Sequence, residues 1–449
     1  MGSASQLRSQ TMNKTITSEE ISSLIEPDRV HRRVYTDPEI FKLEMQRIWG
    51  RAWVFIAHES MLPNPGDFIT TTIGLEPVIA VRDIKTNDIN VLLNRCGHRG
   101  VKLEVRDYGN QKSFRCPYHG WAYRTNGELA GVPHSVGYKN TNFDVKKSCY
   151  QLKFIPRVAT YRGFVFASLA ETGPDLETFL GDTRNTIDNM ADRSPVGRVE
   201  VVGKVCNRFV QPANWKNFIE NLNDAMHPMV AHAATGDATN KYAATLDPEQ
   251  PRPAEAQVIQ PFGGSYQFFD DMGQTVLPYG HNYMGGHTSI FSHYDWPEEY
   301  LDAMFNAKGE DQTRRVLEFN RHNTTIYPSI AVRDGVQSIR VVRPVAVDET
   351  VLETWVFRLV DAPEQLLSRT LLYSQLINSP GSMVGPDDLD CYKRMQLGLA
   401  SEQNDWVDFN RYLNDDKEEQ GRTVSSGTSD LAFRNQYKAW SDYMTDSEG

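Results

Sequence analysis

An α+β fold is predicted, with a small antiparallel β-domain ahead of a larger domain of helices and antiparallel sheet, and three observations predict it. Residues 66–166 run as short β-rich segments (FITTTI, PVIAVRD, INVLLN, FRCPYHGWAY, GFVFASL) punctuated by Gly, Asn-Gly and Pro. Beyond Asp175, helical stretches at 175–189 and 214–226 mix with strand-like ones at 337–345 and 351–359. A chain of 449 residues, 40% hydrophobic and 23% charged, is long enough to bury a full core in two or three domains.

The elements follow in order. Residues 1–11, MGSASQLRSQT, form a polar leader before a second methionine and read as an expression remnant outside the fold. Residues 37–53 open on Asp-Pro and place Phe41, Met45 and Ile48 at helical spacing, so one amphipathic helix leads in. The expected division is a helical lead-in over 12–50 packing on the catalytic domain, the β-domain over 51–170 and the catalytic domain over 171–449. GRTVSSGTS at 421–429 reads as a loop before a last helix, FRNQYKAWSDYM. No internal repeat is visible.

Composition removes several functions. A net charge of −11 argues against a general nucleic-acid binder, which needs an accessible excess of Lys and Arg. The longest apolar runs, such as 77–81 and 164–170, fall far short of the roughly 18 residues that span a bilayer, and no signal-peptide pattern opens the chain. A cytoplasmic location is expected. The five cysteines are odd in number and scattered through an acidic chain, which fits a reducing compartment and metal ligation better than disulfides.

Cys96-Gly97-His98 and Cys116-Pro117-Tyr118-His119 form C-x-H and C-x2-H loops with 17 residues between His98 and Cys116. Zinc is one occupant to consider, but Cys2His2 zinc modules usually pair Cys with Cys and His with His along the chain. Here each loop supplies one of each. Two such loops can converge so that both thiolates hold one iron and both imidazoles the other, the ligation of a Rieske [2Fe–2S] centre. Gly97, Gly100, Pro117 and Gly120 allow the tight turns this needs.

A second constellation lies at 214–232, NWKNFIENLNDAMHPMVAH. On a helix Glu220, Asp224 and His227 share one face, while Trp215, Phe218, Ile219, Leu222 and Met226 form the packing side. His227 and His232 would point about 140° apart on an unbroken helix, and Pro228 is the expected break that turns both toward one metal. Two histidines and a carboxylate on one face are a common set for an O2-activating non-haem iron.

NRCGHRG at 94–100 and CPYHGWAY at 116–123, with WVFIAHESMLPNPGDF, IGLEPVIAVRD and NGELAGVP around them, resemble the cluster domain of the Rieske non-haem iron aromatic-ring-hydroxylating oxygenases, large (alpha) subunit. The similarity runs over about 34–133. The 214–232 segment resembles the same family's iron motif, E-N-x-x-D-x-x-H-x4-H, with Met226 where an aromatic is common. The segment SPGSMVGPDDLDCYKRMQ at 379–396 resembles its late carboxylate motif, although Leu389 stands where glycine is usual.

The resemblance implies a helix-grip-like catalytic domain and these ligands: Cys96 and Cys116 on one cluster iron, His98 and His119 on the other, and His227, His232 and Asp388 on a mononuclear Fe(2+), with Asp387 and Asp390 as alternatives to Asp388. It implies that Asp224, given the catalytic role, bridges to a cluster histidine of a neighbouring subunit. It also implies a homotrimer, or an α3β3 assembly with a small beta subunit. The function so implied is that of a terminal oxygenase using O2 and external electrons to cis-dihydroxylate an aromatic acid, amine or related small aromatic. A Rieske monooxygenase, or a non-catalytic metal or electron-transfer protein, stands as the alternative.

No nucleotide-binding fingerprint is present, so NAD(P)H acts only through a partner reductase or ferredoxin. Arg95, Arg99, Lys102, Arg106, Lys112, Arg115 and Arg124 face only Glu104 and Asp107 within 95–124, a basic window that would steer an acidic donor. The substrate pocket is expected to be apolar and lined from Asn221, Leu222, Met226, Met383 and Val384, with Arg333, His322 and His293 as polar anchors.

Overall fold

The computed structural model describes residues 16–203, 206–286 and 288–446, so the leader at 1–11 lies outside the described residues. The predicted lead-in helix runs over Pro38–Arg47, with the Asp37 carboxylate accepting the Glu39 N–H at 2.9 Å. Ile40, Phe41 and Ile48 are buried along its inner face.

The β-domain consists of three small antiparallel sheets. Asp67–Ile73 pairs with Glu76–Arg82 and with Tyr108–Asn110, and Ile89–Leu93 completes that sheet. A second sheet orders Leu129–Gly131, Ala122–Arg124 and Ser113–Arg115. In the third, Phe164–Ser168 lies between Arg157–Tyr161 and Val54–His58, which ties the last strands of the unit to its first. Every residue of Phe164–Ser168 and of Val54–His58 is buried, because both faces of this sheet are covered. Cys96 and Cys116 sit in a separate small core with Phe68, Phe114, Trp121 and Tyr123.

Beyond it, ten antiparallel strands form one sheet. From one edge it runs Val199–Val201, Glu349–Leu359, Ser338–Ala346, Ile330–Arg333, Asn320–Ile326, Asn282–Gly286, Gln274–Val276, Arg422–Ser425 and Lys417–Glu419, with Asn207–Gln211 also paired to Glu349–Leu359. The helix Trp215–Leu222 lies against Asn320–Ile326 and Ser338–Ala346. The last helix, Leu431–Thr445, packs on Gln274–Val276 and on Pro38–Arg47. Glu44 of the lead-in helix is fully buried and accepts from Trp215 Nε1 (2.9 Å), Lys216 Nζ (2.6 Å) and Trp440 Nε1 (2.7 Å), so three helices distant in sequence meet on one carboxylate.

Three local expectations are corrected. The helix expected over 175–189 breaks at Gly181, whose positive φ divides Leu176–Leu180 from Arg184–Asp192. The loop expected over 421–429 begins as the strand Arg422–Ser425, since Thr423 and Val424 pair with Val276 and Thr275. The helix expected over 214–226 ends at Leu222.

That early end has a tertiary cause. Asn323 Nδ2 of the sheet donates to the Leu222 carbonyl (2.7 Å), Asn223 Nδ2 donates to the Ile219 carbonyl (2.9 Å), and Thr325 Oγ1 donates to Asn223 Oδ1 (3.1 Å). Side chains thus take the last carbonyls, and the chain leaves the helix before Pro228, which instead opens the short helix Pro228–Ala231.

Candidate metal centres and pocket

Two turns of the same construction carry the first donor set. The Cys96 N–H donates to the Val101 carbonyl and the Gly100 N–H to the Cys96 carbonyl; the Cys116 N–H donates to the Trp121 carbonyl and the Gly120 N–H to the Cys116 carbonyl. Each turn closes on a glycine at positive φ, +74° at Gly100 and +71° at Gly120, the region where a side chain is strained. The two cysteines are buried and free of disulfides.

The His98 and His119 rings lie 4.7 Å apart, and His98 stacks on Trp121 at 4.7 Å and 6°. Tyr123 Oη accepts the Gly97 N–H at 3.0 Å, which leaves its own proton to donate to Cys96 Sγ at 3.3 Å. Burial first, then that sulfur contact, raises the Tyr123 phenol far above its ordinary range and keeps it a donor. Burial, then His119 and Arg99, lowers His98, favouring the neutral imidazole that metals require, and its Nδ1 is buried with no protein partner. Two thiols, two imidazoles and an orphaned ring nitrogen fit a cluster.

The second set is assembled from two distant segments. His227, His232 and Asp388 bring their donor atoms within 4.8 Å of one another. Asp388 Oδ1 is 3.3 Å from His232 Nε2 and 3.6 Å from His227 Nε2, and Asn221 Nδ2 reaches both His227 Nε2 and Asp388 Oδ1 at 3.2 Å. Asp388 lies in the first turn of the helix Gly385–Leu399, where the helix dipole favours a carboxylate. Val384, not an aspartate, is its N-cap.

Of the alternatives, Asp387 turns to His232 Nδ1 at 3.2 Å, and Asp390 is paired with Arg394 at 2.7 Å. Burial opposes charge on His232, but both aspartates outweigh it and the net direction is up; burial dominates His227 and lowers it. Asp388 is held below its usual range, since the contacts with His232 and His227 exceed the burial that raises it.

Asp224, expected one helical turn before His227, stands beyond the helix end. Its Oδ1 accepts the N–H groups of Met226 (2.6 Å) and His227 (3.3 Å), and its Oδ2 is 3.8 Å from His227 Nδ1. Glu220 leaves this face altogether, accepting from Tyr35 Oη at 3.0 Å and from Tyr437 Oη.

A pocket of about 650 Å³ opens beside the triad. Pro261, Phe262, Phe269, Met272, Met284 and Ile290 make its apolar wall, and Asn221, Leu222, Asp224, Ala225, Pro228, Val384, His322, Asn323, Arg333, Arg340 and Tyr373 complete it with the triad. Met226, Met383 and His293, expected here, are absent from the lining. Met226 is carried away by the turn that follows the helix end, Met383 is 37% exposed on its loop, and His293 Nε2 is engaged at 2.8 Å by the Gln257 carbonyl. Arg340 was missed; it shares the central strand Ser338–Ala346 with Arg343, and the sequence does not mark which of the two faces the pocket. A second cavity, of about 710 Å³, lies between the two domains, but its charged wall is self-neutralised through Arg208, Asp107, Glu353 and Arg343.

Residues 52–151 match the Rieske [2Fe-2S] domain, and 189–446 match the ring hydroxylating alpha subunit (catalytic domain). The chain is 31% identical to the toluate 1,2-dioxygenase subunit alpha of Pseudomonas putida over 408 residues, covering 87% of this chain and 84% of that one. It is 33% identical over 401 residues to the anthranilate 1,2-dioxygenase large subunit of Acinetobacter baylyi, covering 85% and 80%. The fold is shared with naphthalene 1,2-dioxygenase from Rhodococcus sp. bound to indole, with a TM-score of 0.76 at 23% identity over 94% of this chain and 95% of the other.

Proposed function

The chain belongs to the ring-hydroxylating alpha-subunit family, with a Rieske [2Fe-2S] domain preceding the catalytic domain, and from that premise we propose that it cis-dihydroxylates a small substituted aromatic, Cys96, His98, Cys116 and His119 holding the cluster and His227, His232 and Asp388 the iron. It is an aromatic-ring-hydroxylating dioxygenase subunit that works with a Rieske cluster and a mononuclear non-haem iron. The observation that carries the residue assignment is the pairing, in one chain, of two buried cysteines and two half-buried, adjacent histidines with a two-His, one-carboxylate set at the wall of an apolar pocket.

When bound, the cluster supplies single electrons and the ferrous ion binds and reduces O2 beside the ring. The chain's own residues do the rest. Phe262, Phe269, Met272 and Ile290 hold the ring and keep water from it. Asp387 lies 3.2 Å from the far nitrogen of His232 and fixes that imidazole, while Asp224 stands 3.8 Å from His227 Nδ1, beyond hydrogen-bond reach, and leaves that nitrogen without a protein partner among the described residues. In this reading Asp224 also accepts from His119 of a neighbouring copy; within one chain it makes no hydrogen bond or ion pair to His98 or His119 among the described residues.

Electrons come from a separate reductase or ferredoxin. Arg106, Arg124 and Asp107 are taken up by Glu104, Glu128 and Arg208, while Arg95, Arg99, Lys102, Lys112 and Arg115 are exposed around the cluster loops, a surface suited to an acidic donor. A ring of three chains, with or without three small beta subunits, is the assembly this reading requires. The division at 12–50, 51–170 and 171–449 is supported by the closure of the β-domain through Val54–His58 and Phe164–Ser168. No helix among the described residues is long and apolar enough to cross a membrane.

The test is turnover with a surrogate reductase and labelled O2. Recovery of a cis-diol with both oxygens from one O2, on a protein holding about three irons and two sulfides per chain, is expected. Zinc in the cluster loops, or a single labelled oxygen, would replace the proposal by one of the alternatives.

A further inference from the structure

The sheet face beneath the iron ligands carries two arginines. Arg333 lies opposite Ser338 and Arg340 opposite Ala331, so the register puts all four residues on one face, with the small Ala331 leaving room beside Arg340. Both arginines line the pocket.

They are used differently. Arg333 donates to Asn323 Oδ1 (2.6 Å), Tyr373 Oη (2.7 Å) and Asn378 Oδ1 (3.2 Å), so three of its five N–H donors, on Nε and Nη1, go to neutral acceptors. Arg340 makes no hydrogen bond or ion pair among the described residues, and its guanidinium rests 4.5 Å over the Phe218 ring. Three buried arginines have a carboxylate, Arg193 with Asp334 at 3.9 Å, Arg321 with Asp182 at 2.5 Å and Arg343 with Glu353 at 3.7 Å, and half-buried Arg369, which has none, donates to the Asp295 carbonyl at 2.8 Å. Half-buried Arg340 has neither kind of acceptor among the described residues.

A half-buried guanidinium with no hydrogen-bonded acceptor is unfavourable, and an aromatic face and the more distant charge of Asp388 compensate only part of it. The pocket lining sets Arg333 and Arg340 against Asp224 and Asp388, and a divalent ion on the triad leaves two positive charges in excess. Burial, then Arg333, lowers Arg340 only to about 10, so it is a cation at neutral pH. His322, driven far below its ordinary value by burial and then by Arg333 and Arg340, is neutral and offers the anion no charge.

Building on the ring-hydroxylation reading, we propose that Arg340 is the specificity-determining anchor of the site and that the substrate is an aromatic acid whose carboxylate pairs with it while the ring lies against Phe262 and Ile290.

The test measures equilibrium binding, by calorimetry on the metal-loaded protein without O2, of benzoate and 1-naphthoate against their neutral amides. Wild type is expected to bind at least one acid about 100-fold more tightly than its amide. Arg340→Gln should bring that ratio close to one, and Arg340→Lys should keep part of it. An acid-to-amide ratio near one in wild type, or an unchanged ratio in Arg340→Gln, would overturn the anchor. Should Arg340→Gln not fold, the wild-type ratio and Arg340→Lys decide. Acid-selective binding through Arg340 with no oxygenated product on adding donor and O2 would support the anchor and defeat the ring-hydroxylation reading, so the two are separable.

Discussion

Two adjacent aspartates, Asp387 and Asp388, are given different work by their position in the first turn of one helix. Asp388 faces both Nε2 atoms, and Asp387 faces only the outer nitrogen of His232. Asp388→Ala should therefore lose the mononuclear iron and keep the cluster's visible absorption, whereas Asp387→Ala should keep the iron with affinity weakened by about 10- to 100-fold. Metal analysis with absorption spectra checks this, and the opposite pattern would exchange the two roles. Glu220 makes a second prediction. Burial, opposed by the Tyr437 and Tyr35 hydroxyls, pushes its carboxyl up to about 7 from 4.5. The folded protein then keeps a proton that the unfolded chain releases, so this group's stabilising contribution is full below about pH 4.5 and is lost as pH rises toward 7. Glu220→Gln cannot ionise, and it should gain about 3 kcal/mol on wild type between pH 5 and pH 8. A Tm difference that stays flat over that range would contradict it.

At the scale of elements, the two cluster turns are held by the same pair of backbone hydrogen bonds and close on Gly100 and Gly120. A Cβ on Gly120 would meet Pro133 Cγ at 2.8 Å while the backbone holds φ +71°. Gly120→Ala should destabilise the β-domain by about 1–3 kcal/mol and lower cluster occupancy, without loss of the mononuclear iron; full retention of cluster absorbance and Tm would show that the turn has slack. These turns were legible in the sequence because all their determinants lie within a few residues of one another. The same holds for the Asp37 cap, whereas the aspartates at 387–388 were picked out by family resemblance and not by local spacing. The end of the helix at Leu222 was not legible, because Asn323 and Thr325, about a hundred residues on, impose it. Arg340 was hidden for a like reason. Its direction follows from strand register with Ala331, and no spacing along the chain encodes that.

For the whole molecule, the question is how electrons cross from cluster to iron. Asp224 is fixed by two backbone N–H groups, and within one chain it has no contact with the cluster histidines among the described residues. Asp224→Asn should keep the fold, both metals and a reducible cluster, yet slow reoxidation of the cluster in a single turnover with substrate and O2 by about 100-fold or more. Normal rates would mean that electrons take another route and that the ring of three chains is not required for transfer. The buried carboxylate of Glu44, where the lead-in helix, the helix Trp215–Leu222 and the last helix converge, bears on a different matter, the order in which a growing chain is completed. A ribosome has finished both cysteine turns by residue 121, and the β-domain can close once Phe164–Ser168 emerges. Trp215 and Lys216 meet Glu44 as soon as their helix is made, but Glu44 gains its third donor only from Trp440, near the end of synthesis, and the triad itself waits for Asp388. During translation the electron-carrying unit is thus ready long before the oxygen-activating one, so a half-made chain holds no finished site at which O2 could be reduced to no purpose.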